Sequence, residues 1–213
     1  MSRPPYADRA VAGSHLVEAV RQVAPAELLV LGLPRGGVVV ADELARGLGA
    51  ELDVLIVRKV ALPWRSELAL GAVTAHGTSR QDALLRRLGV AANEFEALAD
   101  QQREEVRRRE QDFRPGLAPL HLQDRAVLLV DDGLATGATA AAAIEAVLGD
   151  VPSWLGLAVP VASRQAVQRL PALDALVCPL LPSDFRAVSR YYGDFDQTTD
   201  EEVRRILRRT DPR

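Results

Sequence analysis

Five apolar runs constrain this chain more than anything else in it: LLVLGL (28–33), LDVLIVR (52–58), AVLLVD (126–131), SWLGLAVPV (153–161) and DALVCPLL (174–181). They lack the apolar–polar alternation of a half-solvated strand and fit strands buried on both faces. Helical spacing fills the gaps between them. Residues 14–24 read as a helix with Ser14 as N-cap, and 38–49 as one closed by Gly47 or Gly49. Further helices are expected over 79–88, 91–113, 137–148 and 163–170. A last one over 199–209 carries Thr199 and Glu202 as a capping box. Such alternation predicts an α/β fold, a doubly wound, mostly parallel sheet flanked by helices.

Two stretches break the pattern. KVALPWRSE (59–67) loses periodicity at Pro63 and reads as a loop, followed by a strand, LALGAVTAH (68–76), suited to a hairpin. The helix over 91–113 is very polar, with only Phe95, Leu98, Val106 and Phe113 as an apolar stripe. It is expected on the surface or against a partner subunit, and a homo-oligomer, a dimer, is expected with it.

With 213 residues the chain can bury one sizeable core. Its formal net charge of −3 advertises neither a nucleic-acid nor a membrane surface. No stretch approaches the roughly 20 apolar residues of a membrane span, and MSRPPYADRA is too polar for a signal peptide. Cys178 is the only cysteine, which excludes a disulfide and a thiolate cage. The expected location is the cytoplasm. Of 26 basic residues, Lys59 alone is lysine. A lysine kept in so arginine-rich a chain points to a need for a compact, freely pointing ammonium, unless it survived by chance.

In doubly wound sheets ligands bind beyond the carboxyl ends of the strands. Three unusual stretches fall there: PRGG (34–37), RKVALPWRSE (58–67) and DDGLATGAT (131–139). In the last, Gly137 permits a tight strand-to-helix turn whose N–H groups point outward. Such a terminus suits a phosphate, and Thr136 and Thr139 add hydroxyls. Asp131 and Asp132 repel one another unless they bind hydroxyls or a hard cation such as Mg²⁺. A ribose 5-phosphate satisfies all of these groups. Competing motifs fail: the aspartates are adjacent rather than separated by one residue as in haloacid-dehalogenase-type phosphatases. No GKS or GKT follows a glycine-rich loop, and LPRGG is not GxGxxG.

The run LLVDDGLATGAT (128–139) resembles the phosphoribosyl pyrophosphate (PRPP) signature of type I phosphoribosyltransferases: apolar strand, acidic pair, then Thr-Gly-x-Thr. The resemblance covers nearly the whole chain. It is most specific to a bacterial group sharing PRGG, VRK, ELALGAV and a tail like YYGDFDQTTDEEV. Gly133 departs from the wider superfamily, where an aliphatic or small β-branched residue is usual, and is expected to loosen the turn below the ribose.

The resemblance implies a single phosphoribosyltransferase-like domain over 1–213 with a small hood at 182–198 beside helix 199–209, and a mobile loop at 59–67. It implies the 5-phosphate on Ala135, Thr136, Gly137, Ala138 and Thr139, and the ribose hydroxyls on Asp131 and Asp132. Pro34, Arg35, Gly36 and Gly37 match the pyrophosphate loop, with a cis peptide expected at Pro34–Arg35. Gly36 and Gly37 would let backbone N–H groups approach the anion, while Arg35 forks onto phosphate. Arg58 and Lys59 would serve pyrophosphate, and Glu67 would align the base or a metal-bound water. Trp64 would be a lid contact or cover the core. The hood candidates for the acceptor base are Asp184, Phe185, Tyr191 and Tyr192, with Phe195 as a further helper. The implied reaction is Mg²⁺-dependent transfer from PRPP to a nitrogenous base with release of pyrophosphate, the metal carried mainly by PRPP and water. A PRPP-binding regulator, or a ribose-phosphate hydrolase or lyase, is the alternative. His15, His76 and His121 lack metal-ligand spacing and are expected to be structural or exposed.

Overall fold

A computed structural model describes residues 4–75, 77–116 and 120–210; the side chains of Ser66, Glu67 and Thr210 lie outside the described set, as does His76. Five parallel strands build the central sheet: β1 (Leu28–Gly32), β2 (Glu51–Val54), β6 (Ala126–Val130), β7 (Trp154–Ala158) and β8 (Ala175–Val177). Their spatial order is β2-β1-β6-β7-β8. From β1 the chain steps outward to β2; from β6 it steps the other way to β7 and β8. The order therefore reverses between β1 and β6, and a crevice opens beyond their carboxyl ends.

Both faces of the sheet are covered, which is why its strands read as unbroken apolar runs. Leu28 and Val30 of β1 join one core cluster, with Leu16, Val38 and Leu44. Their neighbours Leu29 and Leu31 join the other, with Ile144 and Leu157. Side chains alternate faces along a strand, so two cores demand apolar residues at every position.

Helix α1 runs Arg9–Arg21, earlier than the sequence reading placed it. Its N-cap is Asp8, whose carboxylate accepts from the Val11 N–H at 2.8 Å. Ser14 sits inside the helix and bonds the Val11 carbonyl instead. Asp8 satisfies one of the unpaired N–H groups of the first turn, whereas Ser14 lies more than a turn inside the helix. Helix α2 (Gly36–Leu48) ends on Gly49 in the left-handed region, φ +68°. Helix α5 spans Ala138–Leu148, and short α6 spans Arg164–Val167.

The expected strand 52–58 stops at Val54, and the expected loop 59–67 is strand, turn and strand. A second, antiparallel sheet contains β3 (Arg58–Leu62), β4 (Arg65–Val73) and β5 (Thr78–Arg80). Val60 and Leu62 point into the core while Arg58 and Lys59 do not, so the segment alternates as a half-buried strand should. Pro63 falls in the turn, where its missing N–H costs nothing. Trp64 beside it is 72% exposed, so it covers no core.

Helix α3 covers Asp82–Leu88 and α4 Ala92–Phe113. The stripe on α4 is not a surface feature: Phe95, Ala99, Val106 and Phe113 are buried, and the helix packs on β3 and β4. The added hairpin supplies the surface that a narrow stripe needs. Burying Phe95 alone stabilises the pair by on the order of 2–3 kcal/mol. The remaining α4 surface carries ion pairs such as Arg103–Asp100 and Arg108–Glu105. Helix α7 (Asp200–Thr210) starts with Thr199 accepting from the Glu202 N–H and packs on α4, α2 and β2. No described helix is long and apolar enough to cross a membrane.

Candidate functional site

The two loops at the switch point lie flush against each other. A Cβ at Gly36 would stand 2.0 Å from the Asp132 Oδ2 and 2.7 Å from Nε of Arg9. One at Gly37 would stand 2.6 Å from the Val130 carbonyl oxygen and 2.9 Å from the Asp131 Cα. These two glycines make room for the acidic pair itself, a reason that the sequence motif alone does not disclose. The Pro34–Arg35 peptide is cis. Arg35 reaches the Asp200 carboxylate across 3.6 Å at the start of α7.

Asp132 is held on three sides. Its backbone N–H donates to the Asp131 carboxylate at 2.9 Å, and its carbonyl accepts from the Tyr192 hydroxyl at 2.6 Å. Its own carboxylate accepts from Nε of Arg9 at 2.8 Å. Arg9 also donates to the Asp196 carbonyl at 2.7 Å and lies 3.8 Å over the Phe195 ring. Burial, then the neighbouring Asp132 charge, holds the Asp131 carboxyl well above its ordinary value. Burial raises Asp132 too, against the pull of Arg9. Burial likewise pushes the Tyr6 phenol up to about 12, and Tyr6 donates to the Pro160 carbonyl at 3.0 Å.

Raised carboxyl values have a definite consequence for stability. Between the ordinary value of 3.8 and its higher folded value, the native protein binds more protons than the unfolded chain. The ligand-free protein therefore loses stability as pH rises through that window. Asp131→Asn removes the ionisable group, so it should melt higher than the wild type at pH 7 to 8 and converge with it near pH 4. A variant that melts lower than the wild type at pH 8 would show that the Asp131 charge is compensated by something else.

Ala135 to Thr139 form a cup of about 160 Å³ closed by Asp131, with Gly137 at φ +75° as the N-cap of α5. The first N–H groups of that helix have no carbonyl partner within it, and Ala138, Thr139 and Ala140 line the cup. A second cavity of about 430 Å³ shares Thr139 and gathers Pro34, Arg58 and Lys59. A third, of about 400 Å³, shares Ala135 and Thr136 and reaches Phe185 in the hood. The cup thus shares lining residues with both of the other cavities. A larger cavity, about 730 Å³, lies elsewhere, between Thr74 and the second half of α4.

The structure brings together Pro34, Arg58, Lys59, Asp131 and the 135–139 loop. Arg58 is exposed and donates to Gln102 at 3.4 Å. The hood candidates divide. Phe185 stacks on Tyr191 with ring centres 5.8 Å apart, whereas Tyr192 is buried against Tyr6 and pins Asp132. Asp184 is exposed and lines none of the three cavities. The side chain of Glu67 lies outside the described residues. Gly133 does not loosen its turn: a Cβ there would meet Val188 at 2.6 Å, so the glycine admits the 3₁₀ turn Val188–Tyr191 of the hood. Arg9 is the residue that sequence reasoning missed. It lies 123 positions from Asp132, in a stretch with no motif.

Comparison with known proteins agrees with this geometry. The model of the phosphoribosyl transferase domain matches residues 12–192, and the chain belongs to that family. It is similar to "Putative phosphoribosyl transferase Rv0571c" of Mycobacterium tuberculosis, 40% identical over 206 residues, which are 96% of this chain and 46% of that protein. The chain therefore spans about half the length of the curated relatives it matches. Among solved structures, TT1426 from Thermus thermophilus superposes with a TM-score of 0.87 at 45% identity, covering 95% of this chain and 97% of that one. A Neisseria gonorrhoeae protein solved with bound ppGpp shares the fold alone, with a TM-score of 0.51 and 13% identity over 98% of both chains.

Proposed function

We propose that this chain binds PRPP with Mg²⁺ and transfers its phosphoribosyl group to a ring nitrogen of an acceptor base, releasing pyrophosphate. The observation that carries the reading is that the 135–139 cup shares lining residues with two flanking cavities, Ala135 and Thr136 with one and Thr139 with the other. The central cup suits the 5-phosphate. The side holding Pro34, Arg58 and Lys59 suits pyrophosphate, and the side toward the hood suits the acceptor.

The ribose hydroxyls then donate to Asp131 and Asp132. These bonds favour the ionised carboxylates that the empty site disfavours, so the protein's most repulsive pair becomes a recognition device. Arg9 holds Asp132 in place while it waits. In the reaction the C1–O bond to pyrophosphate breaks, a C1–N bond forms, and the acceptor gives its proton to solvent. Negative charge grows on the pyrophosphate, where the Lys59 ammonium and the Arg35 and Arg58 guanidiniums stabilise it.

Asp131 and Asp132 offer hard oxygens to Mg²⁺, yet one oxygen of Asp132 is engaged by Arg9. Among the described residues no group of three or more His, Cys, Asp or Glu could hold a metal. The donor set fits a cation carried mainly by PRPP and water, whose charge would offset that of the departing pyrophosphate. A sugar phosphate of this kind belongs to the cytoplasm, where this reading places the protein.

Binding of PRPP with Mg²⁺ should raise the melting temperature. At a hundredfold excess over Kd the stabilisation is about 2.7 kcal/mol. No shift with PRPP, together with a shift from a dinucleotide, would overturn the reading.

A further inference from the structure

The cavity on the hood side has a chemical character of its own. It is bounded by Thr136, Ser163, Gln165 and Phe185, with two guanidiniums, Arg164 and Arg186. No aspartate or glutamate lines it. Neither arginine forms an ion pair with a described carboxylate. This contrasts with Arg9, Arg35, Arg103 and Arg114, each of which meets an acidic side chain. Asp184, the nearest acidic residue in sequence, is exposed and stands outside the cavity wall.

Two elements bring these groups together. Arg164 opens α6 directly after Ser163, whose hydroxyl donates to the Ala135 carbonyl at 2.8 Å. That bond ties the Arg164 turn to the phosphate cup. Arg186 follows Phe185, and the Phe185 ring is fixed by its stack on Tyr191. A flat apolar wall, two arginines and a volume of about 400 Å³ thus adjoin the phosphate cup. That size falls within the roughly 300–1,000 Å³ of small-molecule sites. Guanidinium matches carboxylate geometry with paired N–H donors and is less costly to desolvate than ammonium.

We propose that the acceptor is an aromatic ring bearing a carboxylate, with Arg164 and Arg186 as the residues that select it. This rests on the transferase reading above. A neutral ring would leave two like charges on one cavity wall unneutralised, whereas a carboxylate sets an anion beside them. Selection therefore works in both directions, by attraction to the charged ring and by repulsion left in place with the neutral one. Asp184 takes no part in it.

Product nucleotides test the idea without requiring turnover. Uridine 5-monophosphate and its 6-carboxylated counterpart are titrated by calorimetry, as are the mononucleotides of pyridine-3-carboxamide and pyridine-3-carboxylate. PRPP with Mg²⁺ is titrated in parallel. In at least one pair the carboxylated nucleotide should bind tenfold or more tightly. The Arg164→Gln/Arg186→Gln protein should reduce that preference to threefold or less, with its fold checked by melting temperature. Equal binding within both pairs, or a preference unchanged in the double variant, would overturn the proposal. So would PRPP binding in a protein that takes none of the four nucleotides, an outcome that leaves the transferase reading standing. Failure of PRPP itself to bind would remove that reading and this one together.

Discussion

Gly37→Ala is expected to destabilise the protein by about 2 kcal/mol and to abolish the PRPP-induced rise in melting temperature. In a helix this exchange normally gains up to about 1 kcal/mol, because alanine has less backbone entropy to lose. Here the new Cβ would meet the Val130 carbonyl oxygen at 2.6 Å and the Asp131 Cα at 2.9 Å. Both atoms are backbone, one in the central strand β6, so neither yields cheaply. Overpacking of this kind costs about 1–3 kcal/mol and outweighs the helix gain. For a chain of this size the net loss corresponds to a fall of about 4–8 °C. Relief of the clash requires the PRGG loop to move away from the acidic pair, which opens the site. Gly77→Ala is the control, since a Cβ there meets nothing within 4 Å. A Gly37→Ala protein with wild-type melting and a wild-type PRPP shift would show that the two loops need not touch.

Lys59→Arg is expected to lower kcat on the true acceptor tenfold or more, about 1.4 kcal/mol of barrier, with little change in melting temperature. Lys59→Ala should lose more, about a hundredfold, or about 2.7 kcal/mol. Lys59 is held on β3 opposite Ala72 and lines the cavity that joins the phosphate cup through Thr139. A strand fixes where its stem begins, so only the side chain's own reach can place the charge. Guanidinium keeps the charge but is broader, planar and differently hydrated, and it would sit off the position where pyrophosphate charge develops. Turnover is measured as pyrophosphate release at saturating PRPP. Wild-type kcat from the arginine variant would mean that charge alone suffices and that the single lysine is an accident of composition.

The features legible in the string of residues are those whose causes lie within a few positions. The β1 and β6 runs announce burial on both faces, since each position must suit one core or the other. The cup at 135–139 is contiguous, and Gly137 provides the left-handed turn from which α5 begins. Helix α4 was legible as a helix from its spacing, but not the hairpin that covers its stripe. The segment 58–67 misled because its strand is short, bulged and ends at Pro63, so only Val60 and Leu62 record a buried face.

Tertiary structure alone decided which distant groups would share the crevice. Arg9 meets Asp132 across 123 positions because α1 starts beside the hood, and nothing near either residue encodes that meeting. Tyr192 read as a ring for stacking on a base, and became a buried strut whose hydroxyl holds the Asp132 carbonyl. Arg164 and Arg186 belong to no sequence motif, and adjacent strand ends put them on one cavity wall. The physical reason is one of range. Backbone preference and capping act over a few residues and leave a mark in the string. The juxtaposition of strand ends follows from the order in which strands pair, and that order is settled by the collapse of the whole core.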